Sequence, residues 1–345
     1  MSGGAVVAAQ DQPAPQNAPV HTLHVYANLI QIPTLVLGPG RERISKPIAE
    51  NRFSVSLDGG PLFRATHARQ EGDDPISLSI LLDVGGAAAD LMPKMADAIA
   101  GLAPQSLHPR DHVSIFALDC SLIRAGNDMP AEATALKSAV NNALQSWMIR
   151  RQNKHEANCQ QSVHLWDAVA HLAAELHKLP GRRVILVVSD GEDGGSVHPW
   201  KEVASFAQAT GVAIFGMTYV SSLPTSGIGV SPRFITENPF WSLCELNGGL
   251  VLSTGAGAGV EEDTLKRFIT MLRERYIVEF PRPANTTTER IWMTVKIAKG
   301  DDDIIRSAGA SVPVPDAAIL ADPTTVRSDP SLTPELGTRK VVTPQ

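Results

Sequence analysis

The chain has 345 residues, 43% of them hydrophobic, and a formal net charge of −6 from 30 basic and 36 acidic side chains. This length is sufficient for two domains of ordinary size and a sizeable core. Basic residues cluster only in short pairs such as Arg150-Arg151, which argues against nucleic-acid binding as the main function. No apolar run reaches the roughly 18 residues that a transmembrane helix requires.

Residues 1–21 are rich in Ala, Gln and Pro and are predicted to form a disordered N-terminal segment. They have neither a positive n-region nor a sustained apolar h-region, so an intact signal peptide is not predicted. The stretch AVVAAQDQPAPQ fits the end of a truncated signal peptide, and it fits a flexible chain end equally well.

Residues 22–72 are predicted to be a β segment. The stretch Leu23–Leu37 is rich in Val, Ile and Thr, which favours a strand. Further strands are predicted at Phe53–Leu57 and at Leu62–Ala68, with a Gly-rich turn between them. A β-hairpin is the simplest interpretation of these two strands.

Residues 73–275 alternate strand and helix patterns, which predicts a mostly parallel sheet with helices on both faces. Ile76–Leu82 is apolar or small throughout and too short for an ordinary helix, so it predicts a strand buried on both faces. Other predicted strands are Val113–Leu118, a short antiparallel edge strand at Ser121–Ala125, Arg183–Asp190, Val212–Val220 and Leu250–Ser253. Predicted helices follow Gly85-Gly86 and cover Thr134–Ile149, Val163–Leu179, Trp200–Ala209, Phe240–Leu246 and Val260–Arg275.

Ser221–Pro239 is rich in Ser, Gly and Pro and predicts a loop where a partner-contacting loop would be expected. Residues 276–312 form a second predicted β segment, with strands at Tyr276–Phe280, Ile291–Ala298 and Ile304–Arg306. Each β segment is too small to bury a core alone, so we expect the two to pair as halves of a small β-sandwich. Residues 313–345 are rich in Pro, Thr and Asp and predict a disordered tail.

Two aspartates close predicted buried strands, and each is followed by glycines. These are Asp83 and Asp190. In an open α/β sheet, ligands bind beyond the carboxyl ends of the strands, where the strand order reverses. Two carboxylates held close together there need a cation, a proton or a cationic partner. Asp83 and Asp190 therefore frame the candidate site.

Five motifs follow one another along the chain: LLDVGG, VSIFALD, SVHLWDAVAHLAAEL, PGRRVILVVSDGEDGG and VAIFGMTYV. In this order and spacing they resemble the von Willebrand factor type A domain, most closely a bacterial subfamily of secreted proteins first noted in acidobacteria. The flanking β segments share the resemblance, which spans roughly Leu23 to Arg306. It implies a doubly wound, Rossmann-like α/β domain inserted between two halves of a β-sandwich, and a secreted or periplasmic protein.

Type A domains often hold Mg²⁺ with Asp-x-Ser-x-Ser, a later Thr and a later Asp. Asp83 and Asp190 match the two aspartates of that site. All three hydroxyl positions hold other residues, namely Gly85, Ala87 and Val163. We therefore expect no cofactor and a degenerate site, whose carboxylates accept hydrogen bonds from amides of the glycine turns. Weak Mg²⁺ binding by both carboxylates and water is the alternative, with Ser162 as a replacement ligand.

The sequence contains no G-x-S-x-G, H-E-x-x-H or P-loop motif. We therefore predict a non-enzymatic module that binds another protein through the face around Asp83, Ser162 and Asp190 and through the loop Ser221–Pro239. A structural or assembly protein of the cell envelope, which uses its β-sandwich and retains a vestigial site, is the alternative. A hydrolase that activates water with the paired carboxylates is disfavoured, because no nucleophile or oxyanion donor can be named.

Three cysteines permit at most one intrachain disulfide. Cys120 ends a predicted strand and Cys159 precedes a helix at the same end of the sheet, which favours this pair over the others. Three unpaired thiols, with Cys244 buried, fit the sequence equally well.

Overall fold

The structure, a computed structural model, describes residues 24–26, 29–44, 46–57, 60–153, 164–179, 182–219, 238–255, 259–281, 293–298, 303–308 and 325–327. None of the helices in these ranges combines the length and the apolar character that a membrane span needs.

The described elements follow the predicted order, with strands first, then a part in which strands and helices alternate, and then strands again. The strands are β1 (His24–Tyr26), β2 (Leu29–Leu37), β3 (Phe53–Leu57), β4 (Leu62–Arg64), β5 (His67–Gln70), β6 (Ile76–Asp83), β7 (His112–Leu118), β8 (Leu122–Pro130), β9 (Arg182–Val188), β10 (Val212–Tyr219), β11 (Val251–Thr254), β12 (Tyr276–Pro281), β13 (Met293–Ile297), β14 (Ile304–Ser307) and β15 (Thr325–Arg327). The α-helices are α1 (Met92–Ala100), α2 (Ala133–Gln152), α3 (Leu165–Leu176), α4 (Trp200–Ala209), α5 (Pro239–Leu246) and α6 (Val260–Glu274).

A six-stranded central sheet has the order β11-β10-β9-β6-β7-β8. Its strands are parallel except for β8, which pairs antiparallel with β7 at one edge. Every residue of β6 is buried, because this apolar strand lies in the middle of the sheet and is covered on both faces. The predicted mostly parallel α/β sheet is confirmed.

Helices cover both faces of the central sheet. Apolar side chains of α1, α2 and α6 form one core with one face, and those of α3, α4 and α5 form a second core with the other. Each helix contributes an apolar stripe at helical spacing, such as Leu136, Val140 and Leu144 in α2. The central sheet therefore holds its strand ends between two packed helical layers.

Two antiparallel sheets are built from chain segments on both sides of the α/β part. One has the order β14-β2-β12-β5 and the other β13-β3-β4. Side chains from both sheets share one buried apolar cluster, in which the ring centroids of Phe53 and Tyr276 are 5.0 Å apart. The predicted pairing of the segments before and after the α/β part is confirmed by β2–β12 and β3–β13.

The predicted strand Leu62–Ala68 is wrong in extent, because β4 and β5 occupy this range as separate strands in different sheets. Between them, the Ala65 amide donates to the Phe53 carbonyl (3.0 Å) and the Thr66 amide donates to the Glu279 carbonyl (2.7 Å). The chain thus passes from one antiparallel sheet to the other at these two residues. The hairpin of β3 and β4 is present as predicted.

Two further strands differ from the sequence prediction. The edge strand expected at Ser121–Ala125 extends as β8 to Pro130, and its register shifts on both sides of the pair formed by Ile115 and Gly126. The irregular pairing allows β8 to continue through Gly126, Asn127 and Asp128, which have low strand propensity. Within the tail predicted to be disordered, β15 pairs in parallel with β1.

Three charged side chains are buried where the chain enters and leaves the α/β part. Glu71 follows β5, Arg182 begins β9, and Arg275 joins α6 to β12; we call them the ion triad. Glu71 Oε2 lies 2.9 Å from Arg182 Nη1 and 3.0 Å from Arg275 Nη2. In addition, the Glu71 amide donates to the Arg275 carbonyl at 2.8 Å. The ion triad therefore joins the segment after β5 to the segment before β12, and joins both of them to strand β9 of the central sheet.

Candidate functional site

The parallel strands β6, β7, β9, β10 and β11 all end at one edge of the central sheet, which we call the carboxyl edge. Asp83 is the last residue of β6, and Ser189 and Asp190 follow β9 directly. Since Leu82 pairs in register with Val188, Asp83 and Ser189 lie side by side. The structure thus brings Asp83 and Asp190 to the same place on this edge, as the sequence predicted.

Asp83 is buried, and both of its carboxylate oxygens accept hydrogen bonds. The Ser189 hydroxyl donates to Oδ2 at 2.6 Å and the Gly85 amide donates to Oδ1 at 3.0 Å. Burial raises the pKa of the Asp83 carboxyl above its ordinary value; the two hydrogen bonds oppose this shift, and the charge of Asp190 adds to it. The ionised form is therefore destabilised by its surroundings.

Asp190 is partly buried and lies in the adjacent glycine turn. Its Oδ1 accepts a hydrogen bond from the Glu192 amide at 3.1 Å. Gly191 has a φ of +83°, and a Cβ atom there would lie 2.6 Å from Cβ of Phe240, so the turn requires glycine. Its amide donates to the Ser189 hydroxyl oxygen at 2.9 Å. Both aspartates thus accept hydrogen bonds from amides of the glycine turns.

The described residues fit a metal ion poorly. Both oxygens of Asp83 are engaged, while Gly85 and Ala87 have no side-chain oxygen. In the part of the chain that the structure describes, no group of three or more His, Cys, Asp or Glu side chains is arranged to hold a metal. Ser162 and Val163 lie outside the described residues, as does most of the loop Ser221–Pro239.

We expect calorimetric titration of EDTA-treated protein with Mg²⁺ or Mn²⁺ to give no saturable heat up to about millimolar concentration. The reason is that Gly85 and Ala87 supply no side-chain oxygen beside the two carboxylates, while the Asp83 carboxylate is buried and already accepts one hydrogen bond on each oxygen. A saturable heat that Asp83→Ala abolishes would contradict this expectation. Asp97→Ala is the matched control, because Asp97 is an exposed carboxylate on α1 that pairs with Lys137.

The loop between β9 and α4 is held by the carboxylate of Asp193. Its oxygens accept hydrogen bonds from the Ser196 hydroxyl (2.7 Å), the Ser196 amide (3.0 Å), the Gly195 amide (3.2 Å) and the Trp166 amide (3.4 Å). Burial raises the pKa of Asp193, but these hydrogen bonds outweigh it and hold the pKa below its ordinary value. The charged carboxylate therefore fixes this loop.

A second carboxylate fixes the tip of the same loop. In the first turn of α3, Asp167 accepts hydrogen bonds from the amides of Val197 (2.9 Å) and His198 (3.0 Å). The Ser196 hydroxyl oxygen in turn accepts from the Trp166 and Asp167 amides (3.1 and 3.2 Å). The Val197 side chain is nevertheless 82% exposed. An apolar side chain is thus presented to solvent by a loop whose backbone is fixed at several points.

Sequence reasoning missed four contributors to this region: Ser189, Asp193, Ser196 and Val197. Asp193-Gly194-Gly195-Ser196 has the composition of a side-chain-stabilised turn, and this signal could have identified the first and last of its residues. The exposure of Val197 has no sequence signal, because it depends on bonds between segments about 30 positions apart.

The end of β7 is tied to the end of α2. The Asp119 carboxylate is buried and forms an ion pair with Arg150 in the last turn of that helix. Cys120, the next residue, is disulfide-bonded, whereas Cys244 is a free, buried thiol. The alternative of three unpaired thiols is therefore wrong. The predicted partner, Cys159, lies outside the described residues.

No protein-family model and no curated protein matches the chain. Among solved structures, it is similar to proximal thread matrix protein 1 from the mussel byssus (13% identity, 59% of this chain and 49% of that one, TM-score 0.39). It is also similar to the conserved hypothetical protein BatB from Bacteroides thetaiotaomicron (13% identity, 57% of this chain and 98% of that one, TM-score 0.42). A further similar structure is von Willebrand factor type A from Catenulispora acidiphila (11% identity, 82% of this chain and 73% of that one, TM-score 0.41). The chain spans about half the length of the mussel protein. Each likeness is distant and assigns no function.

Proposed function

We propose that the chain is a non-enzymatic protein-binding module, which contacts its partner through the carboxyl edge and needs no metal ion. The observation that carries the proposal is the 82% exposed Val197 on a loop held by Asp167 and Asp193. An exposed apolar side chain on a preorganised loop loses little conformational entropy when it binds a partner. The lowered pKa of Asp193 supports a loop that stays fixed at neutral pH.

In this proposal, Asp83 and Asp190 next to the loop are what remains of a metal site, and they lie within the binding face. Asp83 is turned inward and bonded to Ser189, which stabilises the ends of β6 and β9 against each other. Its role in this proposal is to hold the strand ends from which the binding loops start. Catalysis by the paired carboxylates is not part of the proposal, because Asp83 is buried and each of its oxygens already accepts a hydrogen bond.

We further propose that the two antiparallel sheets form one β-sandwich of residues 22–72 and 276–312, into which the α/β part, residues 73–275, is inserted. Their shared apolar cluster and the β2–β12 and β3–β13 pairs support this arrangement. A second function, assembly of a cell-envelope structure through the sandwich, is favoured by Leu62, which is 46% exposed on the edge strand β4. The disulfide-bonded Cys120 supports a secreted or periplasmic location.

Photo-crosslinking can locate the binding face. With benzoylphenylalanine at position 197, we expect a covalent complex with a partner from the source organism, and none with the same probe at position 62. Once that partner is purified, Val197→Glu is expected to weaken its affinity at least about tenfold, since a charge would be buried in an apolar contact.

Leu62→Glu is the matched control for this experiment, because it introduces the same charge at another exposed apolar residue. It is expected to leave the affinity within about twofold. The reverse pattern, in which Leu62→Glu abolishes association and Val197→Glu does not, would instead support assembly through the antiparallel sheets.

A further inference from the structure

A cavity of about 290 Å³ lies away from the carboxyl edge, between helix α6 and the antiparallel sheet. Strand β2, the turn after it, α6 and the first residue of β12 contribute to its lining. This volume lies just below the range for small-molecule sites, about 300–1,000 Å³. The cavity therefore has room for a small ligand.

One wall of the cavity is apolar and firmly packed. Leu35 and Leu37 of β2 and Met271 of α6 line it, and all three also belong to the buried core beneath the central sheet. Tyr276 lines it from β12, and its hydroxyl is fixed by a hydrogen bond from the Ile48 amide at 2.9 Å. Leu35, Leu37 and Met271 are only 2%, 4% and 6% exposed, and the partly exposed Ile44 lines the same cavity. The preformed wall therefore provides a small apolar surface for the tail of a ligand.

The rim of the cavity is positively charged. Its lining contains three arginines and one carboxylate, and the carboxylate, Glu274, is paired with Arg43. Arg41 is 3.4 Å from Glu245 and stacks over Trp241, with 5.7 Å between its Cζ and the ring centroid. Over the described residues, no carboxylate lies within ion-pairing distance of Arg267. The rim thus has a surplus of guanidinium groups.

The turn that carries Arg41 is held in an unusual backbone conformation. Arg41 has a φ of +62°, which is uncommon for a residue other than glycine. The turn is closed by hydrogen bonds from the Gly38 amide to the Glu42 carbonyl and from the Arg41 amide to the Gly38 carbonyl, both 2.9 Å. Arg267 of α6 donates to the Arg41 carbonyl at 3.4 Å. These bonds hold Arg41 and Arg267 beside each other at the rim.

We propose that this cavity binds a small amphiphilic carboxylate, whose head group pairs with Arg267 and Arg41 and whose alkyl tail lies against Ile44 and the exposed parts of Leu35, Leu37 and Met271. The guanidinium groups supply the charge that complements a carboxylate, and their planar donors suit its two oxygens. The apolar wall distinguishes such a ligand from a simple anion. This site is separate from the binding face at the carboxyl edge, and it does not depend on the function proposed for that face.

Calorimetric titration with octanoate, below the concentration at which it forms micelles, tests the proposal. We expect saturable 1:1 binding by the full chain. Acetate has the head group without the tail, and 1-octanol has the tail without the charge. Each is expected to bind at least about tenfold more weakly than octanoate, because each lacks one of the two contacts.

Two variants locate the binding. Arg267→Gln is expected to weaken octanoate binding about tenfold or more, since it removes a charge-assisted hydrogen bond. Thr270→Phe places a ring in the cavity from an exposed position of α6 and is expected to abolish binding. Arg64→Gln is the matched control: Arg64 is exposed on β4, outside the cavity, and its replacement is expected to leave the affinity unchanged.

The proposal is overturned if the parent protein gives no saturable heat with octanoate, or if 1-octanol binds as tightly as octanoate. It is also overturned if Arg267→Gln and Thr270→Phe, with unchanged far-ultraviolet circular dichroism, bind octanoate as the parent protein does. Loss of binding in both variants, with retention in Arg64→Gln, supports it.

Discussion

Replacing Glu71 with alanine is expected to lower the free energy of unfolding by about 3–5 kcal/mol, because it removes the only carboxylate of the ion triad and leaves two arginines buried together. Glu71 and Arg275 are 2% and 1% exposed. Burial lowers the pKa of Arg182; Glu71 opposes this shift, and the charge of Arg275 adds to it. Without Glu71, the two guanidinium groups would repel each other in a site that excludes water.

Urea unfolding followed by circular dichroism measures this effect, provided that the m-value is unchanged. Asp74→Ala is the matched control: the Asp74 carboxylate lies 3.8 Å from Arg182 and is half exposed, and its loss is expected to change stability by less than about 1 kcal/mol. Glu71→Gln separates charge from shape. Glu71→Gln keeps the shape of the side chain and removes its charge, so it is expected to be less stable than Asp74→Ala. Equal stability of these two variants would show that the uncompensated charge of the arginines does not cause the loss of stability.

Gly248→Ala is expected to destabilise the protein by about 3 kcal/mol, from left-handed backbone strain and steric overlap together. Gly248 has a φ of +74°, and a Cβ atom there would lie 2.3 Å from the backbone nitrogen of Ala308. That nitrogen cannot move freely, since it donates to the Pro33 carbonyl at 2.7 Å. The turn after α5 therefore touches the segment after β14 in a way that only glycine permits.

Gly259→Ala isolates the conformational part of this effect. Gly259 has a nearly equal φ of +79°, but no atom of the residues that the structure describes lies within 4 Å of its Cβ position. Its replacement is expected to destabilise by about 1 kcal/mol. Equal effects of the two substitutions, measured by the same urea experiment, would show that the contact with Ala308 does not contribute.

Sequence patterns predicted the central sheet well because its strands carry their own signal. The apolar run of β6 and the matching run of β9 need burial on both faces, and only the middle of a parallel sheet provides it. The crossing at Ala65 and Thr66 could not be predicted in the same way. Its hydrogen bonds go to residues in two different sheets, and no turn residue marks the position.

The position of the two aspartates of the candidate site could be predicted from the sequence, and the exposure of Val197 could not. Asp83 and Asp190 follow from the rule that strand ends meet at one edge, and the structure places them there. Val197 was not predictable, because its exposure results from the bonds of Asp167 and Asp193 to the loop. The cavity beside α6 is likewise formed by parts of the chain that are distant in sequence.

The position of β2 has a consequence for biosynthesis. Both of its neighbours in the sheet, β12 and β14, come after the α/β part, and its residue Gln31 bonds to Glu279, 248 positions later. During synthesis, β2 therefore leaves the ribosome before either of its partner strands exists. Both of its edges stay unpaired until the α/β part has been translated. Chains that stop before β12 keep two unpaired strand edges, and such edges favour aggregation. We therefore expect chains that end before β12 to aggregate more readily than chains that include it.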